Sequence, residues 1–322
     1  MIRYVELCGG IGGFGRALSP LVAQCVLFCE LDRYARQTWA ANNSSAAIIH
    51  DDIGSLAAED VPEHDLLMAG FPCQPWSSAG TSKRRSLGRS SGMADELQGT
   101  LIFEILRIIA YHNPRLVILE NVVGLLSQDG GSLLVHIHDE LAACGYVVQW
   151  RILDAIQFVP QSRKRIFIVG QLGYPVRRLA NLYLPNRRLA LQSILEPAEL
   201  VDARYGLSTR LWIYLQDYRR RQQARGNGFG YSLVGPDDTA RTLSARYAKD
   251  GSEILVRRPG NTPRRLTPRE CARLMGFELP GGYAYQIPVS DTQAYRQFGN
   301  AVVVPLVRHL LRYLMDTPIR FG

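Results

Sequence analysis

Residues 66–73 read Leu66-Leu67-Met68-Ala69-Gly70-Phe71-Pro72-Cys73, an apolar run that ends in a turn carrying a cysteine. An apolar run without polar alternation predicts a strand that is buried on both faces, as in a parallel sheet. In doubly wound sheets, the loops at the carboxyl edge of the strands carry the chemistry. Cys73 therefore stands where a nucleophile is expected.

Short apolar runs of the same kind alternate with amphipathic stretches through the first half of the chain. Strands are predicted at 4–7, 26–29, 66–69, 116–119 and 166–169, and helices at 103–112 and 133–144. This alternation predicts an α/β fold with a parallel sheet. Further along, Thr267 followed by Pro268 and Glu270 predicts the start of a helix that runs to about Met275, and a last helix is predicted at 304–315.

The periodic pattern breaks down between residues 172 and 262. Arginine pairs, a glycine-rich stretch at 226–230 and isolated aromatic residues replace it. We interpret this part as a second, smaller domain.

Composition limits the classes of function. The chain has 322 residues with 47% hydrophobic content, a formal net charge of +8 and a pI near 9.3. A basic balance favours a polyanionic partner. No apolar stretch approaches the roughly 20 residues that cross a bilayer, and a secretion signal is not predicted, so we expect a cytosolic protein. The six cysteines are scattered, without the spacing of a zinc site, and no metal is predicted.

Three predicted loops at the carboxyl edge of the sheet suit an adenosyl group. The first strand runs into Glu6-Leu7-Cys8-Gly9-Gly10-Ile11-Gly12-Gly13-Phe14, a glycine-rich turn that lets a ligand approach the backbone. Glu30 ends the second strand, where an acidic residue accepts hydrogen bonds from ribose hydroxyls, and Asp52-Ile53 is placed to meet an adenine. The alternative is that the turn serves packing alone and that Glu30 and Asp52 are surface caps.

The candidate catalytic residues also follow strands. A cysteine attacks as the thiolate, so Cys73 needs a lowered pKa. Glu120 follows the strand at 116–119, where partial burial would raise its pKa and let it donate a proton. Arg163 and Arg165 precede the strand at 166–169, and alternation predicts that both point to one side. Singly, each has an ordinary structural explanation: buried packing, a loop cap and a solvated strand edge. Their joint placement favours an active site.

The order of these motifs matches a known family. In chain order the matching segments are Gly9 to Phe14, Glu30, Asp52, Pro72-Cys73-Gln74, Glu120-Asn121-Val122, Gln161/Arg163/Arg165, Arg265-Leu266-Thr267-Pro268-Arg269-Glu270-Cys271 and Gly299-Asn300-Ala301-Val302. Over nearly its whole length the chain resembles the DNA (cytosine-5)-methyltransferases of bacterial restriction-modification systems.

That resemblance implies a Rossmann-like S-adenosylmethionine-dependent methyltransferase domain with a mostly parallel sheet, together with a smaller target-recognition domain. The catalytic and cofactor-binding domain would comprise residues 1–171 and 290–322, and the target-recognition domain residues 172–289, with a variable part at about 172–262. The cofactor would be S-adenosyl-L-methionine and the substrate double-stranded DNA. The expected setting is a cytoplasmic, nucleoid-associated monomer without membrane contact, alongside a cognate restriction endonuclease that acts separately.

The resemblance also assigns roles in the reaction. Cys73 would attack C6 of cytosine, Glu120 would protonate or hydrogen-bond N3, and Arg165, supported by Arg163, would bind O2. Because the ring is inaccessible inside a stacked duplex, the target cytosine must be flipped out.

Further residues are assigned by the same resemblance. Those expected at the cofactor are Leu7, Cys8, Gly9, Gly10, Gly12, Gly13, Glu30, Leu31, Asp52, Ile53, Pro72, Asn300 and Val302. Those expected at DNA are Gln74, Ser77, Lys83, Arg84, Arg85, Arg89, Arg241 and Arg246. Two departures from the family pattern are Cys8, where a phenylalanine often stacks on adenine, and Gln98, where an arginine is common; the basic loop at 81–98 is also longer than usual.

Two alternatives stay open on sequence alone. A related enzyme could act on tRNA, since the same chemistry serves a flipped cytosine in either polymer. A catalytically silent DNA-binding homologue would keep the scaffold and bind DNA without methyl transfer. A zinc-dependent deaminase is not favoured, because its ligand pattern is missing from the sequence.

Overall fold

The computed structural model describes residues 1–19, 21–44, 47–71, 100–173, 176–228, 230–249, 251–279 and 282–315. The chain divides into two compact units. The first unit comprises residues 1–153, 164–183 and 307–322, and the second comprises residues 154–163 and 184–306.

A mostly parallel sheet forms the centre of the first unit. Its strands are β1 (Ile2–Leu7), β2 (Ala23–Cys29), β3 (Ile48–His50), β4 (Leu66–Gly70), β5 (Leu116–Val122), β6 (Val147–Asp154) and β7 (Lys164–Gln171). Their order across the sheet is β3-β2-β1-β4-β5-β7-β6. The pairs from β3 to β5 are parallel, whereas β7 is antiparallel to β5. The predicted α/β fold with a mostly parallel sheet is confirmed.

Helices accompany these strands along the chain. They are α1 (Gly13–Leu18), α2 (Arg33–Asn42), α3 (Thr100–His112) and α4 (Ser132–Ala143). Asp32 caps α2 by accepting hydrogen bonds from the backbone of Tyr34 and Ala35. Beyond α4, Gly145 has a φ of 87°, a left-handed conformation that suits a glycine after a helix end.

The strand order reverses between β1 and β4. From β1 the chain proceeds outward through β2 and β3, and from β4 it proceeds outward in the other direction through β5. In open α/β sheets, ligands bind in the crevice outside the carboxyl ends of the strands at such a switch point. The glycine turn follows β1, and Cys73 follows β4 three residues after Gly70. The glycine turn and the end of β4 therefore adjoin the switch point.

The second unit contains short strands and helices. These are α5 (Thr209–Ala224), β8 (Leu233–Val234), β9 (Leu255–Val256), α6 (Pro268–Leu274) and α7 (Asp291–Asn300). The helix α8 (Val304–Met315) begins in this unit and continues into the first. The predicted start at Thr267 is confirmed as a capping box with Glu270, and α8 matches the predicted last helix. This unit runs on to residue 306, whereas the sequence placed the return of the chain near residue 290.

Candidate active site

The glycine turn after β1 packs against two aromatic rings. Cys8, Gly10 and Gly12 have positive φ values of 50°, 58° and 80°. A Cβ added to Gly9 would lie 2.3 Å from the Phe28 ring, and one added to Gly12 would lie 2.5 Å from the Trp39 ring. At Gly10 an added Cβ would meet nothing within 4 Å. Packing thus explains Gly9 and Gly12, and Gly10 is the position at which the backbone is open to a ligand.

The buried carboxylate of Glu6 holds the end of the glycine turn through hydrogen bonds. Glu6 is fully buried, and its two carboxylate oxygens accept hydrogen bonds from the backbone N–H groups of Phe14 at 3.2 Å and Gly15 at 3.0 Å. Burial raises the pKa of Glu6 to about 8. Sequence reasoning assigned no role to Glu6, although a carboxylate inside the otherwise apolar end of β1 was visible in the sequence.

The acidic residues after β2 and β3 lie at the expected edge of the sheet. Glu30 accepts hydrogen bonds from the backbone N–H groups of Gly10 and Asp32, both at 2.8 Å, and so joins the glycine turn to the end of β2. Asp52 is exposed and caps the turn at 53–55 through the N–H of Gly54. Leu31 is 71% exposed, whereas Ile53 is buried.

An ion pair lies at the carboxyl end of β5. The Nε of Arg165 is 3.1 Å from the carboxylate of Glu120, and both side chains are largely buried. The register of β5 and β7 accounts for the pair, because Arg165 lies opposite Val122 and Glu120 lies opposite Phe167. A Cβ added to Gly70 would be 3.7 Å from the other Glu120 oxygen. The carboxylate therefore adjoins the end of β4, three residues before Cys73.

Several predicted site residues lie outside the described part of the chain. They are Pro72, Cys73, Gln74, Ser77, Lys83, Arg84, Arg85 and Arg89. The basic loop at 81–98 lies outside it as well.

Arg163 has partners different from those of Arg165. Its buried guanidinium donates to the backbone carbonyl of Leu243 and, at the end of α7, to the carbonyls of Gly299 and Ala301, all at 2.9 Å. All these residues belong to the second unit. The sequence placed Arg163 and Arg165 before the strand at 166–169 and predicted that alternation points both to one side. In the structure β7 begins at Lys164, so it includes Arg165 and not Arg163.

The remaining predicted residues of the second unit differ in exposure. Asn300, at the end of α7, is exposed, and Val302 is buried. Arg241 and Arg246 are exposed on either side of Leu243, so their side chains are accessible to a ligand. Gln161 accepts a hydrogen bond from the N–H of Leu243 at 2.7 Å and so holds the same segment as Arg163.

Most of the described cysteines are poor nucleophiles. Burial raises the pKa of Cys25 and Cys29 to about 12, and it also raises the pKa of Cys8 and Cys271 well above the usual value of a thiol. A thiol with so high a pKa contains almost no thiolate near neutral pH. Among the described residues, no three or more His, Cys, Asp or Glu side chains are grouped as metal ligands. No helix in the described ranges has the length and apolar character needed to span a membrane.

Comparison with known proteins identifies the family. The model of the C-5 cytosine-specific DNA methylases matches residues 2–316. The chain is 42% identical to the DNA-cytosine methyltransferase of Escherichia coli K12 over 366 aligned positions, covering 97% of this chain and 77% of that protein. It is also 42% identical to the Type II methyltransferase M.NlaX of Neisseria lactamica, covering 96% and 94% of the two chains.

A solved structure supports the fold independently. The S. pombe Dnmt2 methyltransferase superposes with a TM-score of 0.77 at 22% identity and covers all of both chains. That level of identity speaks to the fold alone, so the activity rests on the closer relatives. The chain belongs to the C-5 cytosine-specific DNA methylase family and is a DNA (cytosine-5)-methyltransferase.

Proposed function

We propose that this enzyme transfers a methyl group from S-adenosylmethionine to C5 of a cytosine flipped out of a specific duplex DNA sequence, through a covalent bond between Cys73 and C6. The observation that carries the proposal is the pairing of Glu120 with Arg165 beside the end of β4. It puts a largely buried acid and a fixed cation next to the segment that leads to Cys73.

The chemistry requires a nucleophile because C5 of cytosine does not attack a methyl donor unaided. The Cys73 thiolate forms a bond to C6, and the electron pair of the C5–C6 double bond becomes available at C5. C5 then accepts the methyl group, the C5 proton leaves to a base, and the C6–S bond breaks to restore the double bond and the thiolate. The raised thiol pKa values of Cys8, Cys25, Cys29 and Cys271 argue against those four cysteines in this role.

Glu120 and Arg165 stabilise the charge that develops on the ring. When the thiolate adds at C6, negative charge spreads toward N3 and O2. A proton or hydrogen bond from Glu120 at N3, and the guanidinium of Arg165 at O2, offset that charge in a site where little water screens it. Their contact at 3.1 Å keeps the two groups oriented before the base arrives.

The loops after β1, β2 and β3 fit an adenosyl group. Gly10 leaves space beside the backbone, and each Glu30 oxygen, having accepted one backbone N–H, keeps a lone pair for a ribose hydroxyl. Exposed Leu31 offers an apolar surface and Asp52 a carboxylate at the neighbouring strand end. We assign these residues to S-adenosylmethionine, together with Leu7, Cys8, Gly9, Gly12, Gly13, Ile53, Pro72, Asn300 and Val302. When bound, the cofactor supplies an electrophilic methyl group.

Sequence recognition is assigned to residues 172–289. Exposed Arg241 and Arg246 are candidates for contact with bases or phosphates, and Gln74, Ser77, Lys83, Arg84, Arg85 and Arg89 for contact with DNA around the flipped base. We expect the enzyme to act as a monomer on nucleoid DNA, separately from any restriction endonuclease of the same system.

Bisulfite sequencing tests the proposal. DNA from a methylation-free host that expresses the wild type should show protected cytosines in one short sequence, and DNA from a host that expresses Cys73→Ala should show none. Purified protein should transfer labelled methyl groups from S-adenosylmethionine to duplex DNA. Methylation that persists in Cys73→Ala would contradict the adduct, and methylation of tRNA alone would contradict the assigned substrate.

A further inference from the structure

Helix α5 uses only one side for folding. Leu215 is its single fully buried residue and forms a small apolar cluster with Leu207 and Leu255. Leu211 and Trp212, partly buried, pack against this cluster from the same helix. The exposed residues of α5 do not belong to this cluster.

Four exposed residues of α5, cationic or aromatic, recur at helical spacing on another side of the helix. Arg210, Tyr214, Arg221 and Arg225 follow one another at intervals of four, seven and four residues, and all four are exposed. Residues three, four and seven apart share one face of an α-helix. We call this set the α5 outer face.

The charges of the α5 outer face are not balanced within the helix. With its cap residue Arg225, α5 contains five arginines and one aspartate. Asp217 is engaged by Arg220 at 2.5 Å, and Arg219 lies over the Tyr231 ring. In the described part of the chain, the guanidinium groups of Arg210, Arg221 and Arg225 have no hydrogen-bond or ion-pair partner. Like charges four residues apart on a helix, such as those of Arg221 and Arg225, repel each other. An anion bound between them would offset this repulsion.

The basic end of α5 has a defined geometry. The chain turns at Gly226, which has a φ of 74°, and the N–H groups of Gly226 and Asn227 bond back to the carbonyls of Gln223 and Gln222 at 3.0 and 2.9 Å. Arg221 and Arg225 are therefore presented by a capped helix end, about 6 Å apart along its axis. Duplex DNA carries a phosphate about every 3.4 Å of its axis along each strand, so two phosphate steps cover about 6.8 Å, close to the separation of these two cations.

We infer that the α5 outer face binds the sugar-phosphate backbone of duplex DNA and adds sequence-independent contacts to those made at the methylated site. Arginine guanidinium groups and the tyrosine hydroxyl are the donors that commonly contact phosphate oxygens. This inference rests on the proposed function, since it extends the binding surface of the same substrate.

The salt dependence of DNA binding tests the inference. The full-length variant Arg221→Gln/Arg225→Gln and the wild type are compared by fluorescence anisotropy on a cognate duplex and a scrambled duplex between 50 and 200 mM salt. Loss of two phosphate contacts should make the negative slope of log K against log salt shallower by about 2, equally on both duplexes. Arg221→Lys/Arg225→Lys keeps the charge and should keep the slope.

The matched control removes two arginines elsewhere. Arg3 lies near the amino end of β1, and Arg115 directly precedes β5; both are exposed. These strand ends are at the sheet edge away from the candidate site, so Arg3→Gln/Arg115→Gln should leave the slope unchanged. An unchanged slope in Arg221→Gln/Arg225→Gln overturns the inference, as does weakening confined to the cognate duplex. If the wild type methylates no DNA, the proposed function itself fails; if it methylates DNA and the slope is unchanged, only this inference fails.

Discussion

Arg165 and Glu120 lie on neighbouring antiparallel strands, and the Arg165 Nε is 3.1 Å from the Glu120 carboxylate. Breaking a largely buried ion pair on one side leaves the other charge without compensation. The two residues should therefore act as one unit in both stability and rate.

Glu120→Gln removes the group that can give a proton to N3. We expect its rate of methyl transfer in a single turnover to fall by about 10²- to 10⁴-fold, with duplex binding nearly unchanged. Arg165→Lys should also be slow, because lysine does not reproduce the planar guanidinium. The double variant should lose little more than the worse single variant. Fully multiplicative losses would show that the two groups work independently.

Arg163 should govern stability rather than the chemical step. Arg163→Lys leaves at least one of the carbonyls of Leu243, Gly299 and Ala301 without its donor, so the free energy of unfolding should fall by about 1–3 kcal/mol in urea titrations. The folded variant should keep its single-turnover rate within a few-fold. Arg165→Lys is the matched comparison: its single-turnover rate should fall, while its free energy of unfolding should change little. A stable but inactive Arg163→Lys would instead indicate contact with the base.

Residues with strong local signals were predicted well. The capping box at Thr267 and the strands β1, β2, β4 and β5 are confirmed. Capping and strand burial each depend on a few residues that are close together in sequence, so short segments are enough to predict them. Helix α5 was missed, since one fully buried leucine among arginines and glutamines gives little periodic pattern. Strand β6 was missed because it lies at the sheet edge with an exposed, mixed surface.

The site was predictable in part for a similar reason. Strand ends placed Glu120 correctly beside β4, because parallel register brings neighbouring carboxyl ends together. The partners of Arg163 were not predictable, because Leu243 and Gly299 are 80 and 136 residues away in sequence. Local alternation cannot carry information over such separations.

Thiol labelling should separate Cys73 from the buried cysteines. In the native enzyme at pH 7.5, iodoacetamide should leave Cys25 and Cys29 unmodified, because their raised pKa values and burial suppress the thiolate. Inactivation should follow the modification of Cys73, located by mass spectrometry of the peptides. Duplex DNA bound to the enzyme should slow the modification of Cys73 and the inactivation that follows from it. Inactivation that tracks another cysteine would remove Cys73 from the mechanism.

Gly299 should tolerate no side chain. A Cβ there would lie 2.3 to 2.4 Å from backbone atoms of Ser244 and Ala245, and backbone cannot move aside as a flexible side chain can. We expect Gly299→Ala to lower the free energy of unfolding by about 1–3 kcal/mol or more, although alanine otherwise favours a helix. Gly228→Ala is the control, since nothing lies within 4 Å of its added Cβ. Equal stability of the two variants would contradict the close contact.

His64 should make the fold sensitive to acid. Its ring is buried, Nδ1 donates to the Pro62 carbonyl at 2.8 Å, and the His112 ring lies 4.9 Å away. Burial lowers its pKa from 6.5 to about 4. Between pH 6.5 and pH 4 the His64 ring is protonated in the unfolded chain but neutral in the folded protein. The free energy of unfolding is therefore unaffected by His64 above pH 6.5 and falls as the pH drops toward 4. The variant His64→Asn keeps a donor for the Pro62 carbonyl. Between pH 7 and 4.5 its free energy of unfolding, measured in urea titrations, should fall by about 2 kcal/mol less than that of the wild type. Parallel losses in the two proteins would place the acid sensitivity at other groups.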